Sequence, residues 1–212
     1  MNSYKTTFQT WDKLANAYQD KFMSLNLYND TYDMFCELIE KPNATIFEIG
    51  CGPGNITKYL LTKKPDFKID AIDVSPNMIK LAKENNPAAN FSVLDCREIG
   101  KISKKYDGIV CGFCMPYLSK ADVGKLISDS TNLLNRGGIL YFSAIEDDYN
   151  KSTFESSSDG QHKMFIFYHE ERYLQHYLLK NDFEIVTVKR IKYPKAATET
   201  ATHIIFVARK KQ

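Results

Sequence analysis

The chain has 212 residues, of which 43% are hydrophobic and 25% charged, and its formal net charge is +2. This composition is ordinary for a globular protein with one sizeable core, and the charge is too small to indicate nucleic acid or an anionic membrane as a partner. No apolar run approaches the ~20 residues of a membrane-spanning helix, and the first residues carry no apolar signal segment. We therefore expect a cytoplasmic, single-domain protein, monomeric or homodimeric.

The cysteines argue for reduced thiols. They are Cys36, Cys51, Cys96, Cys111 and Cys114, an odd number in a chain without export signals. Cys111 and Cys114 form a C-x-x-C pair, but no second pair accompanies them. His176 and His203 lie within a helical and a strand pattern, without metal-ligand spacing. We expect core and pocket-lining thiols and no metal.

The N-terminal part is predicted to be helical. Apolar residues recur at helical spacing from Thr6 to Met23 and from about Tyr28 to Ile39, and Pro42 ends the second pattern. These two helices precede the first strand.

A glycine turn follows a short apolar strand at 46–49. Gly50, Gly52 and Gly54 alternate, and Asn55 is predicted to cap the helix that begins there. Glycines let a ligand approach the backbone, and a helix N-terminus directs free N–H groups toward it. The segment is therefore a nucleotide-type site.

The dinucleotide fingerprint G-x-G-x-x-G is not fulfilled here, because Asn55 occupies the position of its third glycine. Instead Pro53 stands between the last two glycines, and Glu48 lies two residues before the first. NAD is thus disfavoured as the ligand.

The next segments complete a βαβ unit. A strand at 68–73 ends in Asp73, about 20 residues after Gly54, where a carboxylate can accept hydrogen bonds from ribose hydroxyls. Ser75 is the predicted cap of the following helix, with Pro76 at its first position.

The rest of the pattern alternates strands and helices. Strands are predicted at 91–94, 106–112 and 139–144, with a helix from Ser119 that ends at the glycines 137 and 138. A long loop from 146 to 161, an extra strand at 163–168, a helix at about 170–181 and two closing strands at 183–188 and 202–208 follow.

Three motifs resemble those of the class I S-adenosylmethionine (SAM) methyltransferases. They are E-x-G-x-G-x-G from Glu48, D-x-S-x-x-M from Asp73, and L-L-x-x-G-G-x-L from Leu133. The resemblance covers residues 46–145. It implies an α/β fold: a Rossmann-like, doubly wound, seven-stranded sheet, mostly parallel with an antiparallel last strand, plus N-terminal helices. Residues 1–42 would form a lid, 44–145 the SAM-binding core, 146–182 the substrate region and 183–210 the closing strands.

The resemblance also implies a cofactor site for SAM, with S-adenosylhomocysteine (SAH) as the product. The implied contacts are Glu48, Gly50, Cys51, Gly52 and Gly54 at the methionine end, Asp73 and Val74 at the ribose, and Asp95 and Cys96 at the adenine, with Met78, Phe113 and Tyr18 completing the set. Trp11 and Tyr18 match lid positions loosely.

Methyl transfer from a sulfonium requires alignment of the acceptor more than a universal catalytic residue. Where a base is needed, the candidates lie in the variable region: His162, His169, Tyr168 and Glu146. Pro116 and Tyr117 resemble half of an amino-methyltransferase motif, but its polar acceptor is replaced by Cys114. We interpret this segment as pocket wall.

The sequence thus predicts a SAM-dependent methyltransferase with a small-molecule acceptor. Two alternatives stay open. One is a methyltransferase that acts on protein or RNA. The other is a SAM- or SAH-binding protein of this fold without transferase activity, or a related nucleotide-binding fold that uses NAD.

Overall fold

The computed structural model describes residues 3–156, 160–195 and 199–212. Its helices are α1 (Ser3–Lys13), α2 (Ala15–Phe22), α3 (Asn29–Glu37), α4 (Asn55–Lys63), α5 (Pro76–Asn85), α6 (Lys120–Leu133) and α7 (Glu171–Lys180). Its strands are β1 (Thr45–Ile49), β2 (Lys68–Asp73), β3 (Asn90–Val93), β4 (Tyr106–Cys111), β5 (Leu134–Glu146), β6 (Thr153–Ser156), β7 (Lys163–Ile166), β8 (Phe183–Pro194) and β9 (Thr200–Lys210). Short 3₁₀ helices lie at Cys96–Lys101, Met115–Tyr117 and Tyr149–Lys151.

The main sheet has seven strands in the order β3-β2-β1-β4-β5-β9-β8. Strands β1 to β5 are parallel, and β9 runs antiparallel between β5 and β8. The chain winds outward from β1 to β3 and then returns to β4 on the other side of β1. This is the predicted doubly wound sheet, and its ligand-binding position is the carboxyl edge beside β1 and β4.

Each face of the sheet is covered by a core, as strand alternation requires. In β1, Phe47 and Ile49 pack into one core with α6 and α7, while Ile46 packs into the other with α3 and α4. The near-continuous apolar strands in the sequence reflect burial on both faces. In the part of the chain that the structure describes, no helix combines the length and apolarity needed to cross a membrane.

The N-terminal segment forms two helices where one was predicted from Thr6 to Met23. The break falls at Leu14, whose backbone leaves the helical region (φ −91°, ψ 11°). As a result α1, which contacts β7, is a separate helix from α2. Two buried threonines connect α1 to β7: Thr7 Oγ1 accepts a hydrogen bond from Phe165 N at 2.9 Å, and Thr10 Oγ1 donates to Lys163 O at 2.7 Å.

Three local predictions are corrected by the structure. Asn55 is the first residue of α4 and not its cap, because Gly54 in the left-handed region (φ +84°) takes that position. The helix α6 ends at Leu133, where the extended backbone of Leu134 already begins β5, so Gly137 lies inside a strand. The predicted loop 146–161 contains β6, which pairs with β7 in a separate hairpin; its residues 157–159 lie outside the described part.

Candidate functional site

The glycine turn lies at the carboxyl end of β1, beside β2. The N–H groups of Gly50 and Cys51 both donate to the carbonyl oxygen of Ile72, at 2.8 and 2.9 Å. Gly50 has a positive φ, and a Cβ there would lie 2.8 Å from the Cβ of Cys114. A side chain at this position would therefore be both strained and overlapped, so the turn needs glycine.

A first cavity of about 80 Å³ opens along this edge of the sheet. The predicted cofactor residues that line it are Tyr18, Gly50, Gly52, Asp73, Val74, Met78, Asp95, Cys96 and Phe113. They come from the ends of β1 to β4 and from α2 and α5. Residues that were not predicted as cofactor contacts also line it: Phe8, Trp11, Leu94, Gly112, Cys114, Tyr117 and Leu118.

Asp73 connects the glycine turn to the start of α5. Its carboxylate accepts hydrogen bonds from the N–H groups of Gly52 and Ser75, both at 2.9 Å. Burial raises the pKa of Asp73, although these N–H donors act in the opposite direction. The carboxylate thus shapes the turn as well as lining the cavity.

Asp95 lies at the end of β3 and pairs with Arg97. Burial opposes its ionisation, but the hydrogen bonds from Arg97 outweigh this effect and lower the pKa of Asp95. The Arg97 guanidinium in turn stacks 4.2 Å from the ring of Tyr4 in α1. The N-terminal helix therefore reaches the edge of the sheet where the adenine was predicted.

Three predicted cofactor residues lie outside this cavity. Gly54 faces Asn86, and Cys51 is buried with its thiol directed to Gly52 O. Glu48 is 1% exposed; Thr57 Oγ1 donates to its Oε2, and its Oε1 has no hydrogen-bond partner among the described residues. Burial raises the pKa of Glu48 to about 8. As described by the structure, Glu48 is a buried, largely protonated carboxyl group beneath the turn.

Aromatic side chains of α1 and α2 cover the glycine turn. A Cβ placed at Gly52 would lie 3.6 Å from the Tyr18 ring. The Trp11 ring packs edge-on against Tyr18 and Tyr117, with centroid distances of 5.4 and 5.5 Å. These contacts place α1 and α2 over the first cavity.

A second cavity of about 230 Å³ adjoins the first. The residues common to both are Trp11, Tyr18, Phe113 and Tyr117. The second cavity is otherwise lined by α2 and α3, by the β6–β7 hairpin and by the ends of β8 and β9. The site is thus a pair of adjoining cavities separated by aromatic rings.

The four base candidates from the sequence lie outside both cavities. His169 is fully buried; its Nδ1 bonds to the Tyr173 hydroxyl at 2.6 Å and its Nε2 to Met115 O at 2.9 Å. Tyr168 donates to Glu155, Glu146 pairs with Arg190, and His162 follows the β6–β7 turn. With both ring nitrogens engaged, His169 has a structural role in this arrangement.

The histidine that does line the second cavity is His203, in β9. Its Nδ1 lies 2.7 Å from the hydroxyl oxygen of Tyr28. No sequence motif marked this residue, because a lone histidine in an apolar strand is more often a core residue. His203 and Tyr28 are therefore in contact, although they are 175 residues apart in the sequence.

All five cysteines are free thiols, which is the state that their odd number predicted. Cys96 and Cys114 lie beside the first cavity with their sulfur atoms 3.6 Å apart. Across residues 3–156, 160–195 and 199–212, no cluster of three or more His, Cys, Asp or Glu side chains is arranged to hold a metal ion.

The central part of the chain is similar to known proteins. Residues 46–138 match a family model described as a methyltransferase domain. A malonyl-[acyl-carrier protein] O-methyltransferase of Acetivibrio thermocellus is 33% identical over 117 residues, which are 54% of this chain and 40% of that protein. Malonyl-[acyl-carrier protein] O-methyltransferase 1 of Ilyobacter polytropus is 30% identical over 154 residues, which are 71% of this chain and 55% of that protein. The chain spans about half the length of the curated relatives it matches.

A solved structure extends the likeness to the whole chain. The N-methyltransferase NodS of Bradyrhizobium japonicum WM9, in complex with SAH, has a TM-score of 0.73 at 18% identity, covering 98% of this chain and 100% of that one. At this identity the likeness shows the fold alone. The resemblance of the three sequence motifs is confirmed: residues 46–138 match the model of a methyltransferase domain.

Proposed function

We propose that the chain is a SAM-dependent methyltransferase with a small-molecule acceptor. The observation that carries this proposal is the first cavity, where the glycine turn, Asp73 and the Asp95–Cys96 segment meet at the ends of three neighbouring strands. These residues fit the three parts of SAM: backbone at the methionine end, a carboxylate for the ribose, and the β3 end for the adenine. SAM would supply a methyl group on a positively charged sulfur.

The chain's own contribution would be alignment and exclusion of water. The rings of Trp11, Tyr18 and Tyr117 enclose the boundary between the cavities, where the reacting groups would meet. An apolar, enclosed boundary favours in-line approach of an acceptor and keeps competing water away. The free thiols further support a cytoplasmic location.

Trp11 offers a direct test, because it is the only tryptophan of the chain and lines both cavities. Titration with SAH is expected to change its fluorescence in a saturable way, whereas NAD leaves it unchanged. The reverse pattern would overturn the cofactor assignment.

Asp73→Asn tests the ribose contact, with Asp70→Asn on the same strand as the matched control. Asp70 lies outside the first cavity and pairs with Lys104 at 2.6 Å. Loss of a charge-assisted hydrogen bond to a ribose hydroxyl should weaken SAH binding about tenfold or more in the Asp73 variant. Equal affinity in the two folded variants would remove Asp73 from the site.

Transfer itself is measured with SAM labelled in the methyl group and a panel of small acceptors. Label in a product of the panel supports the transferase. Saturable SAH binding without transfer to any acceptor, protein or RNA would favour the alternative of a binding protein of this fold.

A further inference from the structure

The second cavity is built mainly from residues outside the methyltransferase-domain match. Most of the residues that line it lie outside residues 46–138, in the N-terminal helices, the β6–β7 hairpin and the β8–β9 end. Within the matched domain, Phe113 and Tyr117 are the residues that line both cavities, at the boundary described above. Because this cavity adjoins the proposed site of the methyl donor, it is where an acceptor would bind.

The rings in this cavity present flat surfaces. Tyr193 and His203 are nearly parallel, with an interplanar angle of 10° and centroids 5.0 Å apart. Tyr28 is tilted by only 12° from His203, and Phe113 lies 5.4 Å from it at the side of the first cavity. Offset stacking on such rings favours a planar aromatic ligand over a saturated one.

The charged groups of the cavity are mostly engaged. Glu155 pairs with Lys195 at 2.8 Å and accepts the Tyr168 hydroxyl at 2.6 Å. Lys21 is exposed, with its ammonium 5.2 Å from the Phe22 ring centroid. The inner wall therefore offers a ligand few ionic contacts, and its polar groups are His203, Asn55 and tyrosine hydroxyls.

His203 has one nitrogen engaged and one available. Nδ1 bonds to the Tyr28 hydroxyl, while Nε2 makes no hydrogen bond with the described residues. Burial and the nearby Lys195 lower the pKa of His203 to about 4, so the ring is neutral at pH 7. When Nδ1 donates its hydrogen to Tyr28 oxygen, Nε2 holds a lone pair that can accept a hydrogen bond from a ligand.

We propose that the second cavity binds the methyl acceptor as a planar aromatic molecule bearing a hydroxyl or ring N–H, and that Nε2 of His203 accepts a hydrogen bond from that group. The proposal rests on the proposed function. In the transfer, the acceptor heteroatom forms its bond to the methyl carbon, and the carbon–sulfur bond breaks with its electron pair left on sulfur. The proton of the acceptor group is released to solvent water. Tyr28 is a positioning residue that fixes the tautomer of His203.

Calorimetric titration of the SAH-saturated protein tests the ligand class with three matched probes. 1-Naphthol is planar and carries a hydroxyl; 1-methoxynaphthalene is planar without a donor; decahydro-1-naphthol carries the hydroxyl on a non-planar ring. We expect 1-naphthol to bind about tenfold more tightly than either of the others, since one hydrogen bond to a buried acceptor is worth roughly this factor.

Variants locate the effect at His203. His203→Phe keeps a flat ring but removes Nε2, so the naphthol and its methyl ether should bind equally, with SAH affinity unchanged. Tyr28→Phe should reduce the discrimination in the same way because the tautomer is no longer fixed. His176→Phe is the matched control on the exposed face of α7, and it should keep the tenfold ratio.

The proposal is overturned if the wild-type protein binds none of the probes, or binds the ether or the saturated alcohol as tightly as 1-naphthol. It is also overturned if His203→Phe retains the tenfold ratio. Absence of SAH binding in the wild-type protein would instead count against the proposed function. In that case, titration of the ligand-free protein with the same three probes would still test binding in the second cavity.

Discussion

At the scale of single residues, burial decides which polar groups can take part in chemistry. His169 and His203 are both buried histidines, yet only His203 has a ring nitrogen that is not engaged by the described residues. Glu48 and Asp73 are both acids near the glycine turn, but only Asp73 reaches the first cavity. Residue type and spacing suggested Glu48, Asp73 and His169 but not His203, and local hydrogen bonding separates the four.

Glu48→Gln should stabilise the protein increasingly as the pH rises. The pKa of Glu48 is raised to about 8 in the folded state from an ordinary value near 4.5, so the folded state binds the extra proton between these values. Its favourable contribution is therefore fully present below about pH 4.5 and is lost as pH rises through 8. At pH 7 the loss is about 3 kcal/mol.

The measurement is the thermal midpoint of both proteins from pH 5 to 9 at constant ionic strength. The two curves should diverge with pH, the variant being the more stable at pH 8. Parallel curves would show that Glu48 ionises normally in the folded protein.

At the scale of elements, the site depends on how α1 and α2 lie across the sheet edge. The sheet supplies the glycine turn and the strand ends, while α1 is held by the Thr7 and Thr10 hydrogen bonds to β7 and by Arg97 against Tyr4. The first cavity, at about 80 Å³, is smaller than the roughly 300–1,000 Å³ of ordinary ligand pockets. We infer that α1 and α2 move when a cofactor-sized ligand enters.

Hydrogen exchange checks this inference. Amides in Ser3–Phe22 should exchange measurably in the ligand-free protein and become several-fold slower when SAH is bound, since ligand contacts stabilise the closed arrangement. Amides of β4 and β5, which are central in the sheet, serve as the internal control. Equal rates in α1 and α2 with and without SAH would contradict the proposed movement.

At the scale of the whole molecule, opposing titrations set the pH of greatest stability. Burial lowers the pKa of His169 to about 4, and burial with Lys195 does the same for His203. For such groups stability is fully present above the unfolded value near 6.5 and is lost as pH falls toward 4. Glu48 acts in the opposite direction above pH 4.5.

The thermal midpoint is therefore expected to be highest near pH 6.5 and to fall on both sides. Each buried histidine contributes up to about 3 kcal/mol on the acid side. His169→Gln should flatten the acid side of the curve, whereas the same change at exposed His176 should not. An acid side that is equally steep in the two variants would contradict the assignment to buried histidines.

The sequence by itself determined the central sheet and the cofactor edge. The apolar strand at 46–49, the glycine turn and the cap at Ser75 are specified by neighbouring residues, because strand alternation and positive φ are local constraints. Nine of the twelve cofactor residues that the family resemblance implied line the first cavity, and most of them lie where parallel strands bring their carboxyl ends to one edge.

Tertiary structure alone decided the second cavity. Tyr28 and His203 are 175 residues apart, and their hydrogen bond depends on packing α3 against the end of β9. The β6–β7 hairpin and the break at Leu14 likewise follow from contacts between α1 and β7, which no local pattern encodes. Local backbone preferences act over a few residues, whereas the juxtaposition of side chains from distant elements is fixed only when their surfaces pack.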